Sequence, residues 1–165
     1  MSSQEIKVGV HMDSCNAELH RLLGASAVDA KNTIQETKCK KNATEMEGMR
    51  NCNIRDCAAI MKYFAYLEEE LKNENHTLNE YTAAMYLNEL RTHGQYHQGP
   101  SFETISSIGP NGAIIHYAPE ADTGVRLNNN EIYLLDSGGQ YLDGTTDITR
   151  TTHFGGATLP TDFQK

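Results

Sequence analysis

The chain has 165 residues, enough for one modest domain, yet only 38% are hydrophobic and tryptophan is absent, so the apolar supply for a core is thin. A formal net charge of −8 argues against nucleic acid or an anionic membrane as partner. No run reaches the ~18–20 apolar residues of a membrane span and the polar start is no signal peptide; Cys15, Cys39, Cys52 and Cys57 lack C-x-x-C spacing and read as reduced thiols, so a cytoplasmic location is expected.

Residues 1–40 are mixed. Residues 6–12 read as a short strand, 17–23 as a turn or two of helix, and His11 and His20 as solvated. Thr44-Glu-Met-Glu47 has the form of a capping box, an acceptor side chain three residues ahead of a glutamate, and predicts a long helix to about Lys72. Cys57, Ile60, Phe64, Leu67 and Leu71 recur at spacings of three and four and predict its apolar stripe, with Glu68-Glu69-Glu70 on the exposed side. Thr77-Leu-Asn-Glu80 predicts a second box, opening a helix through Ala84, Met85 and Leu87 toward Arg91 and closed by His93-Gly94. Two such helices should pack side by side against something flat. His76, His93 and His97 are flanked by polar residues and read as surface.

From Phe102 the period changes. β-prone runs at 105–108 and 113–117 flank Gly109-Pro110-Asn111-Gly112, a turn cluster, which puts His116 at the end of a second strand. A polar loop over 119–130 leads into 132–154. There an apolar run ends in Asp136, Asp143-Gly144 between β-prone runs signals a hairpin, and a threonine-rich run carries Asp147. The two carboxylates are eleven residues apart, an odd number, so across an even-numbered loop they share a face. With Asp143-Gly144 as a two-residue turn, Asp147 pairs with Gln140, and Asp136 lies four residues further along, roughly 13 Å at strand rise. Bringing both onto one ion, or onto a pair about 4 Å apart, then needs a bulge or a wider loop, for which Gly138-Gly139 is the easiest place. On the residues alone the alternative stands that this is a surface hairpin whose aspartates cap turns.

Three blocks, taken in order, resemble one family. L-L-D-S-G-G-Q-Y-L-D-G-T-T-D-I-T-R-T (134–151) looks like the metal-binding hairpin of aminopeptidase P (Xaa-Pro aminopeptidase), a pita-bread metallopeptidase related to prolidase and methionine aminopeptidase. S-F-E-T-I-S-S-I-G-P-N-G-A-I-I-H-Y-A-P (101–119) and K-N-A-T-E-M-E-G-M-R (41–50) are similar to its eukaryotic cytosolic type. The resemblance implies an α/β (α+β) fold: the first half of a pita-bread domain over 41–165, two long helices packed on antiparallel β-hairpins, with 1–40 a linker or the tail of a preceding domain. It implies two divalent metal ions, with Asp136 a terminal ligand and Asp147 bridging. Carboxylate and histidine ligands suit hard or borderline ions, Mn²⁺ foremost. It also makes His116 the catalytic histidine that contacts substrate and assists proton transfer, work for which imidazole is suited. Thr145, Thr149 and Arg150 would orient the carboxylates; His153 matches no family position. Enzymes of this type use a hydroxide shared by two metals to cleave the bond before a proline at the second position, releasing the N-terminal residue from a peptide substrate. The full-length form is expected to dimerise.

The same resemblance exposes a gap. The family uses five ligands, namely two aspartates, a histidine and two glutamates, and the last three lie downstream in blocks that 1–165 do not carry. Two of five ligands and about half of a catalytic domain are therefore expected here, with little or no peptidase activity, because two carboxylates alone hold an ion weakly. Three readings follow: a fragment of a dinuclear hydrolase, a non-catalytic pita-bread relative that binds peptides or proteins, or a truncated modulator that pairs with full-length subunits. Asp136, Asp147 and His116 all being in place favours the first, since non-catalytic relatives lose ligands by substitution.

Overall fold

The computed structural model describes residues 6–155, 160–162 and 164, and the chain packs as two units, Met1–Asn42 and Ala43–Lys165. The first unit has its own small framework. Strand β1 (Val8–Val10) and strand β2 (Ala27–Asp29) pair in parallel, Val8 opposite Ala27, which requires a crossover. Helix α1 (Ala17–Leu23) supplies it, capped by the Asn16 side chain, which accepts from the Glu18 and Leu19 amides. A second short helix, α2 (Thr33–Lys38), is capped by Asn32 in the same way. His11 and His20 are exposed.

The second unit opens with a 28-residue helix, α3 (Ala43–Glu70). It begins one residue before Thr44, so Thr44 lies inside the helix and the predicted box does not start it. The buried stripe is Cys52, Asp56, Ala59, Ile60, Tyr63 and Leu67, rotated from the predicted one; Cys57 and Phe64 sit at its margin. Helix α4 (Glu80–Thr92) follows. Its box is also displaced from the predicted Thr77/Glu80: Asn79 Oδ1 accepts from the Thr82 amide at 2.8 Å, and Thr82 Oγ1 accepts from the Asn79 amide at 3.0 Å. Glu80 is unavailable for capping because its carboxylate is wholly buried elsewhere.

Among the described residues two three-stranded sheets complete the unit, ordered β3-β6-β7 and β4-β5-β8. Their strands are β3 (His97–Pro100), β4 (Ile105–Ile108), β5 (Tyr133–Ser137), β6 (Gly139–Tyr141), β7 (Gly144–Thr145) and β8 (Ile148–Thr152). All pairings are antiparallel. Tyr133, Leu135 and Ser137 are buried and alternate with half-buried Leu134 and Asp136, the period-two pattern of a sheet covered on one face. Ile60, Tyr63 and Leu67 from α3, Leu71 and Leu78 from the segment after it, Ala83 and Leu87 from α4, and Ile108, Leu127, Tyr133 and Leu135 form the core. Within it a hydroxyl chain runs from Tyr63 to Tyr133 (2.6 Å) to Ser106 (2.8 Å), so each buried hydroxyl has a partner. No helix among the described residues is long and apolar enough to cross a membrane, and the four cysteines are unpaired thiols.

The predicted strand over 113–117 is absent. The chain leaves β4 at Ile108, turns through a 3-10 segment, Gly109–Ala113, and places His116 in a tight turn at φ +56°. The cause is Glu80. Its carboxylate accepts from the Ile108 amide (2.8 Å), the Asn111 side chain (3.0 Å), the Tyr117 hydroxyl (2.6 Å) and the Val125 amide (2.9 Å), folding 109–125 back onto the start of α4.

Candidate metal centre

The hairpin that carries both aspartates is a continuous antiparallel pair. Asp136 faces Thr149 and Ser137 faces Ile148 in β5/β8; Gln140 faces Thr145 and Tyr141 faces Gly144 in β6/β7. The tip is therefore Leu142-Asp143, one residue earlier than the predicted Asp143-Gly144 turn. Gly144 serves a different need: a Cβ there would meet Cys52 Sγ and Met49 on α3. Gly48 is its counterpart on the helix, since a Cβ there would strike the Asp143 carbonyl. The two glycines let the hairpin tip lie flush on α3, and Asp143 pairs with Arg55.

This register changes the geometry of the carboxylates. Asp147 falls opposite Gly138, only two residues along its strand from Thr149, the partner of Asp136. The separation is a single diagonal step, roughly 7 Å by general sheet geometry, instead of a four-residue offset. The predicted bulge at Gly138-Gly139 is not needed and is not formed, because equal numbers of residues oppose each other on both sides. What occurs there is a pinch. The Gly139 amide donates to Thr146 Oγ1 at 2.8 Å, the Thr146 carbonyl accepts from Ser101 Oγ at 2.8 Å, and a Cβ on Gly138 would collide with that carbonyl. The ladder changes neighbour at this point, from β4 to β3.

Odd-numbered β5–β6 positions face the helices. Asp136, Gly138 and Gln140, with Thr145, Asp147 and Thr149, face the other way. Asp136 is half-buried and accepts a hydrogen bond from Thr149 Oγ1 at 2.8 Å; Asp147 is exposed. Thr145 donates to Gln140 Oε1 at 2.9 Å on the same face. Neither carboxylate has a cationic partner among the described residues. Two hard oxygen donors on one open face, with one oriented by a threonine, fit a divalent cation. They supply only part of a coordination shell: no group of three or more histidine, cysteine, aspartate or glutamate side chains gathers among the described residues. His116, exposed in its turn, stands on a separate element from both carboxylates. Arg150 bonds the Thr149 carbonyl (2.7 Å), and His153 accepts from the Gly155 amide (3.1 Å).

Several interior groups escaped the sequence reading. Arg91 and Asp56 form a wholly buried ion pair at 2.7 Å. The sequence does contain a sign of it, since Asp56 interrupts the apolar spacing between Cys52 and Ala59 and Arg91 extends that of Ala84 and Leu87. His76 and His97 are half-buried, not on the surface. Burial holds both rings below histidine's ordinary value, Arg126 adding to this for His76 and Arg91 for His97. Burial pushes the Tyr133 hydroxyl up to about 12, and burial followed by the Glu80 hydrogen bond does the same for Tyr117.

The candidate site is thus a hairpin with two carboxylates on its open face and two helices behind it, and the comparisons with known proteins show the family in which it stands. Residues 47–165 match the model of metallopeptidase family M24, and the chain belongs to that family. It is 52% identical over 137 residues to the probable Xaa-Pro aminopeptidase P of Talaromyces marneffei and 54% identical over 127 residues to that of Sordaria macrospora. These alignments cover 83% and 77% of the chain but 20% and 21% of the relatives, so the chain spans about a fifth of their length. Among solved structures it resembles X-prolyl aminopeptidase from Caenorhabditis elegans, described as a cytosolic enzyme with a di-nuclear active site. The TM-score is 0.79 at 36% identity, over 87% of this chain and 23% of that one. Prolidase from Pyrococcus furiosus shares the fold, with TM-score 0.68 at 18% identity over 99% of this chain and 48% of that one. The fold is thus part of a pita-bread domain.

Proposed function

We propose that this chain supplies the aspartate half of the two-metal site of an Xaa-Pro aminopeptidase, a metallo-exopeptidase that removes the N-terminal residue from peptides with proline second. The observation carrying this reading is the pair Asp136 and Asp147, one diagonal step apart on an open sheet face with no cationic partner among the described residues. Asp136 would serve as the terminal ligand and Asp147 as the shared one, with Mn²⁺ the ion preferred. Bound there, two divalent ions supply Lewis acidity and a water activated near neutral pH. The protein's own part is positional. Thr149 fixes the Asp136 carboxylate, the Gly138 pinch sets the strand carrying Asp147, and His116 contacts the substrate and moves a proton at the scissile amide. Tertiary amides at proline are poor substrates for general peptidases, which gives a dedicated site its use. The remaining ligands, a histidine and two glutamates, come from polypeptide beyond 1–165; residues 1–40 are a linker or the tail of a preceding domain, and the full-length form is a cytoplasmic homodimer.

The 165-residue chain alone is then an inactive or nearly inactive fragment. An assay with an Arg-Pro-type peptide and added Mn²⁺ tests this. Negligible release of the first residue is expected, while turnover at rates ordinary for enzymes, on the order of 1–10³ s⁻¹, would contradict the half-site reading.

A further inference from the structure

The hairpin ladder is irregular one step beyond Asp147. In an antiparallel sheet, the two residues of a hydrogen-bonded pair exchange both N–H···O=C bonds. Gly139 and Thr146 exchange only one: the Thr146 amide donates to the Gly139 carbonyl at 2.9 Å. The Gly139 amide goes instead to Thr146 Oγ1, at 2.8 Å. The Thr146 carbonyl thereby loses its ladder partner, in a residue only 1% exposed, where an unpaired carbonyl is costly. Ser101 supplies the donor. Its Oγ donates to this carbonyl at 2.8 Å, while its amide donates to the Gly138 carbonyl at 3.0 Å. One residue therefore ties both strands where Gly138 lies opposite Asp147. A Cβ on Gly138 would collide with Ser101 Oγ as well as with the Thr146 carbonyl, so the hydroxyl stands in the space that a side chain there would take.

Taking Asp136 and Asp147 as metal ligands, as proposed above, we propose that Ser101 is a positioning residue of the half-site. Its hydroxyl sets Asp147 so that this carboxylate and that of Asp136 hold a divalent cation together. The Thr146 carbonyl belongs to the planar peptide unit that also carries the Asp147 amide. Holding that plane constrains the backbone torsions on either side of it, and with them the direction of the Asp147 Cα–Cβ bond. The two aspartates are thus aimed by different means. The Asp136 carboxylate is gripped directly, by Thr149 Oγ1 at 2.8 Å. Asp147 is exposed and takes its direction from its backbone, which Ser101 holds from a segment 45 residues before Thr146. Groups that orient a ligand without touching the metal contribute to its affinity, and Ser101 does so through a main-chain carbonyl.

Titration of the ¹⁵N-labelled 165-residue chain with Mn²⁺, followed by paramagnetic broadening of the hairpin amides, gives the affinity of the parent, Ser101→Ala, Ser101→Thr and Ser107→Ala. The HN–Hα coupling of Asp147, measured without metal, reports its φ. Ser101→Ala should weaken Mn²⁺ binding about tenfold and change that coupling. Ser101→Thr keeps the hydroxyl and should match the parent in both. Ser107→Ala removes a hydroxyl–carbonyl bond of the same kind, to Leu134 at 3.3 Å, and should leave both values unchanged. Should Ser101→Ala fail to fold, Ser101→Cys, close in size but a weak donor, takes its place. Affinity in Ser101→Ala within about twofold of the parent, or an equal loss in Ser107→Ala, would overturn the role of Ser101 and leave the half-site standing. A parent chain with no broadening at the hairpin would overturn both.

Discussion

Glu80 offers the sharpest perturbation. Its carboxylate is wholly buried and takes bonds from four groups, the amides of Ile108 and Val125, the Asn111 side chain and the Tyr117 hydroxyl. Glu80→Ala removes every acceptor and leaves a cavity. An orphaned buried donor costs about 1–3 kcal/mol. Asn111 and Tyr117 can relax toward solvent, but the two backbone amides cannot leave without breaking β4 or the 125–127 segment. The loss should therefore be about 3–5 kcal/mol, a large share of the ~5–15 kcal/mol that a domain has in total. Glu80→Gln keeps the shape and one good acceptor; its amide group cannot accept from the Val125 amide, so a smaller loss of about 1–3 kcal/mol is expected. Urea unfolding followed by circular dichroism measures both, and hydrogen exchange at the Ile108 and Val125 amides should accelerate in the same order. A Glu80→Ala midpoint within error of the parent would refute the claim that this carboxylate folds 109–125 onto α4.

Gly48→Ala sets two effects against each other. Helix propensity favours alanine by about 1 kcal/mol, yet its Cβ would meet the Asp143 carbonyl, so a net loss of about 1–3 kcal/mol is expected in the same urea assay, with the hairpin-tip amides shifted. Asp56→Ala leaves Arg91 buried without its counter-ion and should cost about 3–5 kcal/mol, readable as failure to unfold cooperatively. For alkaline pH the sign follows from Tyr117 and Tyr133. Both have folded values raised to about 12, above the unfolded value of about 10. The stability they contribute is present below pH ~10 and is lost as pH rises toward 12. Thermal unfolding at stepped pH should show that decline, reduced in Tyr117→Phe.

Much of the fold could be read from the chain, and the failures have physical causes. The 28-residue helix has enough periodic residues that tertiary packing could only rotate its stripe, by placing the Asp56–Arg91 pair at its centre. Helix starts were harder. Thr44 and Thr77 each present a box-like pattern, but the acceptor that caps α4 is Asn79, since Glu80 is drawn into the core by partners up to 45 residues away. Nothing local in I-I-H-Y announces that 113–117 is held in a turn by a carboxylate on another helix. The face shared by Asp136 and Asp147 followed from their odd spacing alone. Their closeness did not, because it depends on a tip at Leu142-Asp143 that is set by the fit of Gly144 against Cys52 and Met49.

Paramagnetic broadening by Mn²⁺ tests directly the proposal that Asp136 and Asp147 share one cation-binding face. In the ¹⁵N-labelled chain, substoichiometric Mn²⁺ should first erase the amide signals of residues 136–138 and 147–149, with Asp136→Asn and Asp147→Asn each abolishing the effect. Broadening centred instead on the exposed Glu68–Glu69 run, or broadening at the hairpin that survives both substitutions, would contradict it.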